Sequence, residues 1–326
     1  MKVLVTGSSG WLGRFLVPAL KAQGHDVIGI DPVPAPTTDV LGSVSDTTLI
    51  EALFAKHGFE GVVHAGALHK PDIVRYTKQR FVDVNVMGTL NLLEAAVAYD
   101  SRSFVFTSTT SLMITQAIRD EVSAKAIWLD EKAGPLEPRN IYGVTKRSAE
   151  DLCRLTHAES RLPIIILRTA RFFPEDDDTH RVLTGENMKA NELLFRRLTV
   201  EDCVDAHIAA LNQSPTIGFG IYIVSAPPPF QRQDCAELKE HAPAVIARYF
   251  PDAAGLYAAK GWSLPTSIGR IYDPSAIERD LKFRCKDDFG AVLAALRGQE
   301  KMPFAHNASY VSPNEVNLRA TESKVF

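Results

Sequence analysis

Two apolar periods alternate along the chain. Short runs that are apolar almost throughout read as strands: Val3–Val5, Val27–Ile30, Gly61–His64, Ser103–Phe106, Ile164–Leu167 and Gly220–Val224. Between them, apolar positions recur with the helical period over Thr47–His57, Val84–Tyr99, Gly143–Glu159 and Val200–Leu211. Strands that are apolar on both faces belong to a sheet covered on both sides. Strand and helix in turn predict an α/β fold, a doubly wound parallel sheet of Rossmann type. Proline-rich loops interrupt the pattern after Asp31, at 135–140 and at 227–229. Residues 1–170, completed by about 198–226, form the expected dinucleotide-binding domain. Stretches 171–197 and 227–302 are left for a smaller C-terminal α/β substrate region, and 303–326 for an irregular tail.

The first strand runs into Thr6-Gly7-Ser8-Ser9-Gly10-Trp11-Leu12-Gly13, and an apolar-periodic stretch follows from Phe15 to Leu20. Strand, glycine-rich turn and helix thus come in the order that a dinucleotide site needs. Gly7 permits the turn, Gly10 lets backbone approach a pyrophosphate, and Gly13 lets the helix pack close to the strand. The helix N-terminus offers free N–H groups to the phosphates. Asp31 ends the second strand about 20 residues on, where a carboxylate suits the ribose hydroxyls of NAD and repels the 2′-phosphate of NADP. NAD is the expected cofactor.

The chain has 326 residues, 45% of them apolar, with a net charge of −3, so a sizeable core is possible and no basic field marks a nucleic-acid or membrane-surface binder. The start does not read as a signal peptide and no apolar run reads as approaching the ~18 residues of a span, so neither a leader nor a membrane helix is expected. Cys153, Cys203, Cys235 and Cys285 form no C-x-x-C and read as reduced thiols of a cytoplasmic protein. No metal-ligand cluster is legible.

Ile141-Tyr142-Gly143-Val144-Thr145-Lys146 contains Y-x-x-x-K, which on a helix puts the phenol and the ammonium on one face. A nearby ammonium favours the phenolate, so the expectation is a tyrosine tuned below its usual pKa for proton exchange. The strand before it ends in the hydroxyl cluster Thr107-Ser108-Thr109-Thr110-Ser111, at the sheet edge where open α/β folds place ligands.

With these motifs, and with His64-Ala65-Gly66-Ala67, Asn85-Val86-Met87-Gly88-Thr89, Leu167-Arg168 and Val200-Glu201-Asp202, the chain resembles the extended short-chain dehydrogenase/reductase family, the NAD-dependent epimerase/dehydratase group. The resemblance covers most of residues 1–300. It implies catalytic roles for Thr109, which holds the substrate oxygen, for Tyr142 as acid/base, and for Lys146 on the nicotinamide ribose. It implies cofactor contacts at Gly7, Gly10, Trp11, Leu12, Gly13, Asp31, Ser43, Val44, Ala65, Gly66, Ala67, Asn85, Thr107, Tyr142, Lys146 and Ala170. Candidate substrate residues are Ser108, Arg171 and Arg197. The helices at 84–99 and 143–159 lie on a face that the family uses for dimers, and Asn91, Leu92, Ala95, Cys153 and Leu155 give it apolar content, so a homodimer is expected.

Two departures stand out. Ser43 replaces an Asp that meets adenine in the family. Arg171 stands where nucleotide-sugar members carry an Asn, the segment up to Arg197 is short, and the acidic run Glu175–Asp178 would repel a pyrophosphate. The resulting expectation is an NAD-dependent oxidoreductase for a hydroxyl/carbonyl substrate, sugar-like and smaller than a UDP-sugar. A nucleotide-sugar 4-epimerase and a non-catalytic NAD-binding scaffold or sensor are the competing readings. His64 reads as a structural turn residue, His69 and Lys70 as neighbours of the cofactor, and Trp262 and Tyr272 as core aromatics.

Overall fold

A computed structural model of the chain describes residues 1–174 and 183–307. The acidic run Glu175–Asp178 and most of the 303–326 segment lie outside the described residues. The strands are β1 (Lys2–Thr6), β2 (Asp26–Asp31), β3 (Val40–Leu41), β4 (Gly61–His64), β5 (Ser103–Thr109), β6 (Ile127–Leu129), β7 (Ile164–Thr169), β8 (Phe219–Val224) and β9 (Arg270–Tyr272). Seven form one sheet in the order β3-β2-β1-β4-β5-β7-β8, and every pairing in it is parallel. The order reverses beside β1, which makes the carboxyl ends of β1 and β4 the switch point where such sheets take ligands.

Side-chain alternation along the strands builds two cores. Val3, Val5, Val63, Val105, Ile165 and Leu167 face one way, against α1 (Gly13–Ala22) and, much later in the chain, Val200–Ile217. Leu4, Val62, Phe104, Phe106, Ile164 and Ile166 face the other way. They meet α2 (Thr47–His57), α4 (Gly88–Ala98), which follows the short α3 (Lys78–Val82), and α6 (Ile141–Ser160), which follows α5 (Gln116–Arg119). Helix α7 (Gly185–Glu192) precedes α8, the Val200–Ile217 helix. The C-terminal helices α9 (Cys235–Tyr249), α10 (Ala253–Lys260), α11 (Ser275–Leu281) and α12 (Phe289–Gly298) complete the chain. Leu238, Ile246, Tyr257, Trp262, Ile271 and Phe289 form a third core there. The small β6–β9 sheet, which the apolar pattern did not reveal, ties this region to the segment between β5 and α6.

Three expectations change. The helix read as Val84–Tyr99 is one continuous run with α3, through a π-helical turn at Asp83–Met87. That run, Lys78–Ala98, is long and apolar enough to span a membrane by length and composition, contrary to the expectation that no stretch comes close. Half of it is buried inside the fold, as in a core helix. The residues taken as a dimer face mostly point inward: Asn91, Leu92, Ala95 and Cys153 are buried, and of the five only Leu155 is exposed. The apolar stripes of α4 and α6 are spent on covering the sheet. All four cysteines are free and buried.

Gly7 has φ +71°, the left-handed conformation that its turn requires. A Cβ on Gly13 would lie 2.6 Å from Ser8 Cα, so the α1 N-terminus is packed against the turn at backbone distance. Gly13→Ala should therefore cost about 1–3 kcal/mol of unfolding free energy from overpacking. Urea denaturation of the purified variant checks this; a midpoint equal to the parent's would show that the turn can open at no cost.

Candidate active site

The carboxyl end of β1 leads into the glycine turn, and no side chain caps the N-terminus of α1. Arg14 N and Phe15 N already donate to Gly10 O at 3.0 Å and Leu12 O at 3.1 Å, so an anion here would be met by the amides that precede them. Asp31 is buried at the end of β2, where its Oδ1 accepts from Val33 N at 2.9 Å and its Oδ2 from Ser9 N at 3.3 Å. Ser43 faces Ser45, with the hydroxyls 2.8 Å apart. These groups fit a dinucleotide: a left-handed glycine, a helix end with no side-chain cap and a fixed carboxylate past it.

The turn Ala65–Ala67 is held from behind. Gly66 N donates to Thr6 Oγ1 at 2.9 Å, and that hydroxyl lies 2.7 Å from His64 Nδ1. Thr89 donates its hydroxyl to Asn85 O at 2.7 Å, so at 3.0 Å it accepts from His64 Nε2. The ring is thus the Nε2–H tautomer, and burial drops its pKa to about 3. This is a structural histidine. Asn85 sits in the π-helical turn and grips Leu68 on both sides: Oδ1 accepts from its N at 2.8 Å and Nδ2 donates to its O at 3.0 Å. The same Nδ2 donates to Thr145 Oγ1 at 3.0 Å, which links the cofactor turn to α6.

Asn140 caps α6 by accepting from Gly143 N at 3.0 Å, so Tyr142 lies in the first turn and Lys146 in the next. Thr109, Tyr142 and Lys146 line one cavity of about 770 Å³ between the sheet edge and the C-terminal region. Thr109 Oγ1 is 2.9 Å from Ser111 Oγ, and its bonding to Tyr142 favours the phenolate. Lys146 is buried, its ammonium 4.6 Å from the centre of the Phe106 ring and donating to Thr107 O at 2.7 Å. The expected tuning of Tyr142 is not what this arrangement gives. Burial raises the phenol to about 12, with only Thr109 opposing it, and burial lowers Lys146 to about 7. The ammonium is turned to a strand carbonyl, not to the phenol. His69, pushed to about 4 by burial and then by Lys146, packs its ring 5.8 Å from that of Tyr142.

Beneath these residues lies a polar layer that spacing alone did not reveal. Glu150, one turn after Lys146, accepts from Arg168 Nε at 3.0 Å and Nη2 at 2.7 Å, with both side chains buried. Ser108 Oγ donates to Glu150 Oε1 at 2.5 Å. Ser108 lines the cavity, as a substrate candidate should, but its hydroxyl proton is committed to Glu150. Thr107 Oγ1 lies 2.8 Å from His207 Nε2, whose Nδ1 donates to Cys203 O at 2.7 Å.

Ala170 and Arg171 follow β7 along the cavity, and Arg171 forms an isolated parallel bridge with Arg197. Arg197 itself is not on the wall. It is buried, donating to Glu192 Oε2 at 3.0 Å and Phe173 O at 2.5 Å, so its candidacy for substrate is corrected. Its neighbour Arg196 lines the cavity, as do Arg75, Arg119, Arg139 and Arg270. The last three had no mark in the sequence, because distant segments bring them together. Tyr272 is buried as expected, yet it too lines the cavity, while Trp262 is core. No group of three His, Cys, Asp or Glu side chains able to hold a metal occurs among the described residues.

Fold and site together define a dinucleotide-binding α/β protein with a Thr-Tyr-Lys cavity at the sheet edge. Residues 3–223 match the NAD dependent epimerase/dehydratase family, and the chain belongs to it. It is 34% identical over 158 residues to a UDP-glucose 4-epimerase of Corynebacterium glutamicum, covering 46% of this chain and 45% of that protein. It is 29% identical over 231 residues to an L-arabinose 1-dehydrogenase (NAD(P)(+)) of Haloferax volcanii, covering 69% and 88%. The chain spans about half the length of the first of these. Among solved structures, a short-chain dehydrogenase/reductase superfamily protein of Agrobacterium tumefaciens with bound NAD shares the fold at TM-score 0.63 and 21% identity, with 100% of both chains covered. UDP-glucose 4-epimerase of Thermotoga maritima does so at TM-score 0.63 and 21% identity, covering 92% and 99%.

The buried Lys146 makes a stability prediction with a definite sign. Its pKa in the fold, about 7, lies below its ordinary 10.5, so the native state binds fewer protons than the unfolded chain between those values. This group's cost is fully present below pH 7 and is relieved as pH rises toward 10.5. Lys146→Met should therefore raise the Tm of the NAD-free protein most below pH 7, and the gain should shrink as pH rises. Calorimetry at several pH values reads this directly. A gain that is the same at every pH would mean that Lys146 is not desolvated.

Proposed function

We propose that the chain is an NAD-dependent oxidoreductase acting at a hydroxyl/carbonyl carbon of a sugar-like small substrate. The observation that carries this reading is the convergence of Thr109, Tyr142 and Lys146 on one cavity, beside a turn built for a dinucleotide. Bound NAD supplies the hydride acceptor or donor. Gly7 to Gly13 would hold its pyrophosphate, Asp31 a ribose, and the turn Ala65–Ala67 would run along it.

The chain's own residues handle the proton and the orientation. Thr109 offers a hydroxyl to the substrate oxygen. Tyr142, neutral in its buried setting, is ready to give its proton to a carbonyl oxygen. In the oxidative direction it must first lose that proton, which burial opposes and the hydrogen bond with Thr109 favours. Glu150 and Arg168 hold α6 so that both side chains face the cavity. The match to a sugar dehydrogenase over 69% of the chain supports a free sugar or sugar derivative.

A second reading, epimerisation of a UDP-hexose at C4, is favoured by one observation. The cavity of about 770 Å³ is lined by arginines, so neither its size nor the charge of the described wall excludes a nucleotide. Arg171 and the short following segment argue against it. Thermal-shift measurements with saturating NAD separate the two. UDP-hexoses, which carry no terminal phosphate, should give no stabilisation, whereas a clear shift with a UDP-hexose would promote the epimerase.

Tyr142→Phe should keep the fold and NAD binding while turnover falls about 10²–10⁴-fold. Steady-state kinetics on any accepted substrate tests the role, and near-normal activity in the variant would remove Tyr142 from it. NAD should bind more tightly than NADP by about 1–3 kcal/mol, because a 2′-phosphate would meet Asp31. Titration calorimetry that gives equal affinities would overturn that assignment.

A further inference from the structure

The cavity carries positive charge that proton transfer does not use. Arg119 ends α5, Arg139 stands just before the α6 cap, and Arg270 opens β9; all three line the cavity. The alternation of β9 explains Arg270. Ile271 goes into the C-terminal core, so Arg270 and Tyr272 face the cavity. Parallel pairing with β6 sets Arg270 against Ile127, in the segment that follows α5. Arg139 Nε donates to Ile114 O at 3.1 Å, which fixes the rotation of its fork. Its guanidinium is held below the usual range by burial first, and then by Arg119 and Arg270, with Asp120 opposing them, so both other arginines and one carboxylate lie within electrostatic reach of Arg139.

The acids that line the same cavity are engaged elsewhere. Asp72 pairs with Arg75 at 3.8 Å, Glu121 with Lys239 at 2.5 Å, and Glu192 with Arg196 at 2.8 Å and Arg197 at 3.0 Å. Among the described residues no carboxylate lies within 4.0 Å of the guanidinium of Arg119, Arg139 or Arg270. Arg270 Nε is buried and has no hydrogen-bond partner, a donor that a ligand oxygen would satisfy.

We propose that Arg119, Arg139 and Arg270 form an anion subsite for a phosphate monoester carried by the substrate, which is then a phosphorylated hydroxy compound. A carboxylate carries one charge and fills one guanidinium fork. Three such forks are better matched by a dianion with three terminal oxygens. The proposal deepens the oxidoreductase reading by naming the substrate class. The anion site itself does not depend on turnover.

The test uses inorganic phosphate as probe, on full-length protein with saturating NAD so that the α1 N-terminus is filled, at constant ionic strength. Thermal stability is followed against phosphate and against acetate for the parent, Arg270→Met, Arg139→Met and the control Arg297→Met, whose partner Asp252 lies on the outer surface. The expected result is a saturable phosphate shift in the parent and in Arg297→Met. Half-saturation should move at least ~10-fold higher in Arg270→Met and Arg139→Met, the loss of one charge-assisted contact. Acetate should give no saturable shift. Equal phosphate response in parent and arginine variants, or no saturable response in the parent, overturns the subsite. Acetate as effective as phosphate overturns the choice of a dianion. The shift with NAD alone is read separately: its absence from the parent counts against the cofactor reading and not the anion site. Its persistence in the variants shows that they are folded.

Discussion

One buried ion pair sets the geometry on which the site depends. Glu150 on α6 and Arg168 on β7 meet through two hydrogen bonds, sealed from water, with Ser108 of β5 donating to the same carboxylate. Helix α6 is thereby pinned in rotation against two neighbouring strands. A helix pinned at Glu150 has no freedom to swing Lys146 one turn earlier, or Tyr142 one turn before that. Removing either partner would leave an unpaired buried charge, whose cost is far larger than the net worth of the pair. The ion pair therefore acts more as a register device for the catalytic face than as a source of stability.

The cofactor half of the molecule was legible because its logic is local. Strand, glycine turn and helix are contiguous, and Tyr142 and Lys146 are one turn apart. Each motif states its geometry within a few residues, and two-faced apolar strands announce a covered parallel sheet. The π-helical turn around Asn85 was not legible, since the same apolar pattern is compatible with an unbroken α-helix. The tuning of the phenol was misread for a different reason. Proximity on a helix face says nothing about which acceptor an ammonium will choose. Inside the fold a carbonyl of β5 is available to Lys146, and desolvation, not the ammonium, dominates the environment of Tyr142.

The substrate half was poorly legible because it is assembled from afar. Arg119 and Arg139 come from the segment between β5 and α6, and Arg270 from a short strand near the end of the described chain. A three-residue strand has almost no periodic signature. Only its pairing with β6 brings Arg270 to the cavity. Arg196 and Arg197 show the same limit at closest range. Adjacent in sequence, both pair with Glu192, yet only Arg196 reaches the cavity wall, and Arg197 is buried under it.

The two halves also differ in how their charges are used. Under the sheet edge, charges and hydroxyls are satisfied pairwise, as in Glu150 with Arg168 and Thr107 with His207, and such closed networks hold a backbone in place. On the opposite wall Arg139 is repelled by Arg119 and Arg270, and none of the three is in an ion pair among the described residues, although Asp120 is within electrostatic reach of Arg139. A fold does not gain stability by gathering like charges, so an arrangement of that kind is explained by what it binds. On the function proposed above, the labour would divide: the sheet edge would fix where a proton can move, and the far wall would select the molecule that receives it.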